Sequence, residues 1–597
     1  MMMKSWLRVF MYMKCTPFTS PSSEPMEVEG ANREVEGAKR EVVARKPRGW
    51  QCMPYVIGNE AFEKVASIGL TANLTVYLVN HFNMEQVEAA NLTNIFYGTT
   101  NFTPLIGAFI SDAYWGRFRT LAYGSFASLL GMLALTLSAS IPQLQTPSCS
   151  QLAHQVGQCM KPSKAKLSIL FISLSFLVLG AGGIRPCSLP FGVDQFDYTS
   201  EEGLRGLNSY FNWYYGTTTA AFMISLTVVV YIQNSISWSI GFAIPTALML
   251  LSVTLFFLGT RLYVYVPPEG SIFSGIAQVF VASFKKRKLE LPFPDDAQQQ
   301  ESVLYNPPTR SARILKLPLS LQFRFLNKAA IKCDGEIKPD GTINSWRLCS
   351  VQQIEEVKCL MRIVPIWFSG IICFVAMAQQ WTFLVLQAMK MDRHLGSHFQ
   401  IPPGSVGTIN LLALALFLPI YDKVFVPMAR RITRIETGIT LLQRQGVGLV
   451  FSSLSMVVAA LVERKRRDSA LSHGGATPMS FLWLAPQLIL TGIAEGFNAV
   501  GQVEFYNRQF PEHMQTLAGS LFFCSLAGAN YLSSFLVSIV KKTTGGGGRA
   551  SWLDNNINIG RVDYYYYVIA IMGVVNLLYF LVCAHYYRYK GLPLVKE

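Results

Sequence analysis

Long apolar windows alternate along the chain with short polar or Pro/Gly-containing breaks. A bilayer core of roughly 30 Å needs about 20 mainly apolar residues per helix, and about twelve such windows can be traced. In the first half they run approximately Met53 to His81, Asn91 to Ser111, Thr120 to Ile141, Leu167 to Phe191, Leu207 to Tyr231 and Trp238 to Tyr263. In the second half they run approximately Leu360 to Met389, Val406 to Val426, Gly446 to Val462, Met479 to Phe505, Leu517 to Val540 and Tyr564 to Tyr587. The predicted fold class is therefore an all-α membrane protein.

The windows divide the chain into residues 1–46, a polar tail; 47–263, a first six-helix bundle; 264–358, a polar connection; 359–590, a second bundle; and 591–597, a short tail. The connection carries the basic run Lys285, Lys286, Arg287, Lys288 and scattered prolines, and reads as a linker between bundles. Six plus six helices around a long central cytoplasmic loop is the layout of the major facilitator fold, in which two halves rock about a midplane site. At the start, Met1 to Cys15 is apolar but broken by Lys4, Arg8 and Lys14, without the clean apolar core of a secretory signal. Thr16 to Lys46 reads as a disordered segment, and Met26 opens a more conventional beginning, with the stretch before it a candidate gene-model artefact.

Cations in short loops set the orientation. Lys39, Arg40, Arg45, Lys46 and Arg48 precede the first span, Arg117 and Arg119 follow the second, and Arg430, Arg431 and Arg434 follow the eighth. All place both termini in the cytoplasm. One group disagrees, because Arg464, Lys465, Arg466 and Arg467 follow the ninth window and would face outward, which makes the ninth and tenth boundaries the weakest of the set.

Composition narrows the classes further. The 597 residues are 51% hydrophobic and 15% charged, too apolar for an ordinary soluble protein. The net charge of +15 does not indicate a nucleic-acid partner, since the cations sit between apolar runs rather than on one soluble face. Most of the 11 cysteines lie inside apolar runs as small hydrophobes, and no metal-ligand spacing appears. Cys149 and Cys159 lie in a polar loop and are a candidate disulfide if that loop is extracytosolic.

Ionisable groups inside apolar windows carry the functional signal, because a charge at the bilayer centre costs about 3 kcal/mol or more unless paired or facing water. Glu60, Glu63 and Lys64 stand at i, i+3 and i+4, on one face of the first helix. Arg185, in GAGGIRP of the fourth span, is the expected partner of one of these glutamates. With both acids ionised the four charges cancel; protonating one releases a cation for an anionic solute or frees the bundles to move. The alternative is a permanent ion-pair network tying the first helix to the fourth.

Glu495, in GIAEGFNAVGQVEF, has no charged neighbour on its own helix and is expected to line a cavity, with Asn498 and Gln502 following on the same face. The alternative for the amides is an inter-helix contact. Asp112 and Arg117, in GAFISDAYWGRFRT, are expected to brace a helix end, with a secondary gating role. Gln379 and Trp381, in AMAQQWTF, are further cavity candidates, although most aromatics pack.

These stretches also carry a family likeness. Glu60 to Lys64, the DAYWGR turn, GAGGIRPCSLPFGVDQFD, the FNWYY of Phe211 to Tyr215, RLCSVQQIEEVKC and EGFNAVGQVEFY together resemble the plant nitrate transporter 1/peptide transporter family, a branch of the proton-dependent oligopeptide transporters, from about Lys46 to Lys590. The resemblance implies a proton-coupled symporter that needs a proton gradient and no cofactor. It also implies that Glu60, Glu63 and Lys64 correspond to the proton-coupling motif, Arg185 to the basic residue of the fourth helix, and Glu495 to the acidic residue of the tenth.

Departures from the family pattern bear on substrate. Peptide carriers follow the motif with paired tyrosines, whereas Val65 to Gly69 follow here, which points away from peptides. The family's nitrate-binding histidine aligns with Met377, which can neither carry charge nor donate a hydrogen bond. Met377 beside Trp381 suits a bulky organic ligand, so the expectation is a glycosylated or acidic plant metabolite (a glucosinolate, flavonol glycoside or hormone-like acid), with low-affinity nitrate transport the alternative. The plasma membrane is the expected location and the vacuolar membrane the alternative. A membrane enzyme would need a nucleophile with its base, or a metal cluster, at membrane depth, and the seven histidines form no such group. A non-transporting ligand sensor is a further alternative, but it has no need of a proton motif.

Overall fold

The computed structural model describes residues 47–144, 162–197, 200–266, 268, 272–291, 302–307, 317–333, 336, 343–396, 399–435, 438–473, 479–510, 515–545, 550–554, 556–587 and 589. Cys149 and Cys159, and the segments 1–46 and 591–597, lie outside the described residues.

Nine helical stretches among the described residues are long and apolar enough to cross a membrane, and one of them, Gln86–Ser140, contains both the second and third spans. The first span (Met53–Thr71, continued by Leu74–Asn80) and the tenth (Ala485–Gln509) complete the expected twelve. The first carries Glu60, Glu63 and Lys64, and the tenth is rich in amides and glycine, which lowers their hydropathy. The remaining spans are Lys164–Val193, Glu201–Ile224 with its extension to Ser235, Trp238–Leu258, Val351–Met389, Thr408–Ile420 with its extension to Thr433, Leu441–Ser472, Gln515–Thr544 and Val562–Tyr586.

Two boundaries move, for a shared reason: charged residues that hydropathy assigns to loops are paired inside helices. The seventh span starts at Val351 rather than Leu360, on a capping box in which Ser350 and Gln353 satisfy each other's backbone donors. Its buried Lys358 is 2.6 Å from Glu355, and both are bonded to Ser320 of the connection. The ninth span continues to Ser472 rather than ending at Val462. Arg464 to Arg467 are therefore helical, Arg466 is fully buried, and Lys465 lies 3.5 Å from the centre of the Trp483 ring. The one group that opposed the orientation is not a loop.

The central connection is more than a linker. Helix Ile272–Lys285 packs Val279 and Ala282 against Leu326, Ala330 and the start of the seventh span at Ile354. Lys286, from the basic run, is buried and pairs with Glu336 at 2.7 Å.

Small residues and prolines shape the first bundle. A Cβ on Gly107 of the second span would fall 1.8 Å from the Gly182 carbonyl of the fourth, so only glycine permits this approach. Pro104 lacks an N–H, which leaves the Thr100 carbonyl one turn earlier without its helical donor. The second span ends in a π-helical turn, Ser111–Trp115, and the eighth carries one at Tyr421–Phe425 before its extension, with an aspartate second in each.

Candidate functional site

The first span presents its three charges to the interior of its bundle. Lys64 Nζ lies 3.1 Å from Glu60 and 2.9 Å from Glu63, so one ammonium is shared by two carboxylates. Each acid takes a hydroxyl as well: Ser188 of the fourth span donates to Glu60, and Ser67, one turn along, donates to Glu63 at 2.6 Å. The glutamates are buried, while 16% of the Lys64 side chain stays exposed. The spacing predicted the shared face; the two hydroxyls carried no signal that marked them out from other serines.

Arg185 does not make the expected ion pair with Glu60 or Glu63. Its Nη1 donates to Asn101 Oδ1 at 2.7 Å and to the Thr100 carbonyl at 3.4 Å. The close approach at Gly107 and Gly182 brings the fourth span against the second, and the guanidinium meets the acceptors it finds there. The Thr100 carbonyl is the one Pro104 leaves open.

Arg117 finds its acid on another span. It pairs with Asp194, at the end of the fourth span, and not with Asp112. Gly116, at φ +75°, makes the turn that aims it there. In the second bundle Arg444 fills a similar position, 3.2 Å from Glu504 and stacked 4.5 Å over Tyr421 in the π-helical turn of the eighth span. Sequence reading missed Asp194, Arg444 and Glu504, because helix-end charges read as ordinary solvated groups.

The cavity candidates of the second bundle separate into two groups. Glu495 is half-buried and accepts from Asn410 of the eighth span at 3.1 Å. Trp381 is 36% exposed, with its ring against Gly407. The other four are packing residues, contrary to expectation. Gln379 is buried and donates to the Ser533 carbonyl at 3.2 Å. Asn498 and Gln502 bond to each other at 2.7 Å, with Asn498 against Gly448 of the ninth span and Gln502 against Gly370 of the seventh. Met377 is buried in an apolar cluster with Phe374, Ala90 and Val87, so its chemistry does not bear on a ligand.

The bundles are fastened at one end. Asn91 of the second span bonds Ser534 and Ser538 of the eleventh, Tyr531 donates to Thr99 at 2.9 Å, and Thr382 of the seventh span donates to Asn94 at 2.8 Å. Ser405 donates to the Leu226 carbonyl at 2.6 Å, and Lys541 pairs with Glu85 at 3.4 Å. All these residues lie in the halves of their spans away from the termini. Among the described residues no hydrogen bond or ion pair joins the two bundles at the terminus side. The described bonds between the bundles are thus gathered at the end away from the termini.

A two-bundle membrane fold clasped at one end, with a buried charge cluster in one bundle, defines the class of secondary transporters. Comparison with known proteins agrees. The chain matches the POT family (PTR2) over residues 118–553. It is 56% identical to Protein NRT1/PTR FAMILY 2.13 of Arabidopsis thaliana over 557 residues, covering 92% of this chain and 89% of that protein. It is 51% identical to Protein NRT1/PTR FAMILY 2.12 of the same plant, covering 92% and 93%. An auto-inhibited POT family peptide transporter shares its fold at a TM-score of 0.65 and 19% identity, over 91% of this chain and 99% of that one. The chain belongs to the POT family, in its NRT1/PTR branch, and is an integral membrane transporter rather than an enzyme.

Proposed function

We propose that this transporter is a proton-coupled symporter of a small organic anion, a glycosylated or acidic metabolite, working by alternating access. The observation that carries this is the charge count of the first bundle: two carboxylates share one ammonium, and the balancing guanidinium stands apart on neutral acceptors.

With both acids ionised, Glu60, Glu63, Lys64 and Arg185 sum to zero. Adding a proton alone makes the site +1, and adding a monovalent anion alone makes it −1. Only the empty site and the site holding both are neutral. A buried net charge costs several kcal/mol in a low-dielectric interior, so these two states reorient most readily. That is the condition for symport: neither ligand crosses without the other. Glu495 stands outside this count, bonded to Asn410 on the facing bundle.

The test is tracer uptake in oocytes at acidic and neutral external pH, with Glu63→Gln beside the wild type. The amide fixes the empty site at +1, so the variant is expected to lose pH-driven net uptake while still exchanging anion for anion. Equal net uptake at both pH values and in the variant would overturn the coupling and leave a facilitator.

A further inference from the structure

We infer that Asn101 is a specificity-determining residue: it holds Arg185 by one nitrogen without neutralising it, and so presents the other edge of the guanidinium as a subsite for an oxyanion. The inference rests on the anion symport reading above and names the residue that sets its charge selectivity.

A guanidinium carries five N–H donors in a planar fork, and its Nε–Nη2 edge matches two oxygens of a carboxylate, sulfate or nitrate. In Arg185 both described contacts, Asn101 Oδ1 at 2.7 Å and the Thr100 carbonyl at 3.4 Å, fall on Nη1. Nε and Nη2 have no described partner, yet neither is among the buried polar atoms that lack one. They are therefore not sealed from solvent.

The two acceptors share a property: neither is charged. A carboxamide accepts the same hydrogen bond as a carboxylate, but leaves the cation's field in place. The Thr100 carbonyl is available because Pro104 cannot donate to it. The nearby acids are occupied elsewhere, Glu60 by Lys64 and Ser188, and Glu63 by Lys64 and Ser67. Tyr97, on the same helix as Asn101, donates its hydroxyl to the Thr71 carbonyl at 2.9 Å and makes no described hydrogen bond to Arg185, though it lies within electrostatic reach. The arrangement holds the guanidinium on a neutral tether, within electrostatic reach of Glu63 but with no described ion pair to either glutamate.

Asn101→Asp is the decisive change, since it alters charge at constant shape. The probes are nitrate, the sulfated thioglucoside sinigrin, and desulfated sinigrin as the uncharged form of the same molecule. Uptake is measured in oocytes at acidic pH, at matched surface abundance, as KM and maximal rate. The expected result is that Asn101→Asp raises KM for whichever anions the wild type carries by about tenfold or more, leaving desulfated sinigrin within about twofold. Asn101→Ala, which removes the tether but adds no charge, is expected to fall between.

Anion uptake by Asn101→Asp close to wild type would overturn the inference. So would an equal loss for charged and uncharged probes, which assigns Asn101 to packing alone. A wild type that carries only the uncharged form overturns the subsite and the anion reading while leaving proton-driven transport standing. Wild-type uptake of none of the three overturns both.

Discussion

Replacing Arg466 by methionine should destabilise the second bundle sharply, and a compensating change at Glu463 should recover much of the loss. Both side chains are fully buried near the outer end of the ninth span. Arg466 donates to Glu463 from Nε at 2.7 Å and from Nη2 at 2.8 Å, to Asn558 at 2.7 Å, and to the Ile557 carbonyl at 3.3 Å. In Arg466→Met the Glu463 carboxylate keeps a single described donor, Gln387 at 2.7 Å. Removing one member of a buried pair costs about 3–5 kcal/mol, because the remaining charge is left uncompensated. In the double variant Glu463→Leu, Arg466→Met no charge remains, and the residual cost is the unpaired Gln387 and Asn558 amides, about 1–3 kcal/mol. The double variant is thus more stable than Arg466→Met by about 2 kcal/mol. For a bundle of some 200 residues, about 2–4 °C per kcal/mol translates into a fall of about 10 °C for the single variant and about half that for the double. Thermal unfolding of the purified protein in mild detergent, followed by size exclusion, ranks the three. A single variant as stable as the wild type, or a double variant less stable than Arg466→Met, would refute the reasoning.

Three further outcomes follow from the geometry. Glu85 and Lys541 are about one-third exposed, so their pair contributes at most about 1 kcal/mol; Lys541→Glu should shift the balance between inward- and outward-facing forms up to about fivefold, and the swap with Glu85→Lys should restore it, as read by distances between spin labels at the outer ends. Glu495→Gln keeps an acceptor for Asn410 but removes a negative charge from the facing bundle, so KM for an anion should fall while surface abundance is unchanged; a raised KM would place the carboxylate among the substrate's own partners. Burial pushes the Cys349 thiol up to about 11, with Lys286 opposing more weakly. Since the raised value keeps the thiol protonated at neutral pH, alkylation there should be slow and should climb about tenfold per pH unit into the alkaline range; a plateau reached near neutrality would contradict it.

Much of the architecture is legible in the sequence because bilayer length and polarity are strong constraints, and the spans fall close to the apolar windows. The errors are instructive. Arg466 and Lys358 look like loop residues because hydropathy scores each residue alone, whereas their partners, Glu463 and Glu355, stand one turn away on the same helix. The first-span cluster is legible from spacing, but its partner in space is not: Arg185 meets Asn101 because glycines at 107 and 182 set the helix contact, which no local pattern encodes. Asn498 and Gln502 show a related limit. Helical periodicity places them on one face, yet both a cavity and a neighbouring helix welcome amides, and here the ninth and seventh spans take that face.

The outer clasp is built mainly from hydroxyls and amides: Asn91, Asn94, Thr99, Thr382, Ser405, Tyr531, Ser534 and Ser538. Groups of this kind have no charge for dissolved ions to screen, so ionic strength at that face has little hold on them. Water can replace each bond at nearly equal enthalpy, so the clasp can open contact by contact as solvent enters. The clasp thus behaves as a zip rather than a lock, and Glu85 with Lys541 is its one described contact that salt can weaken.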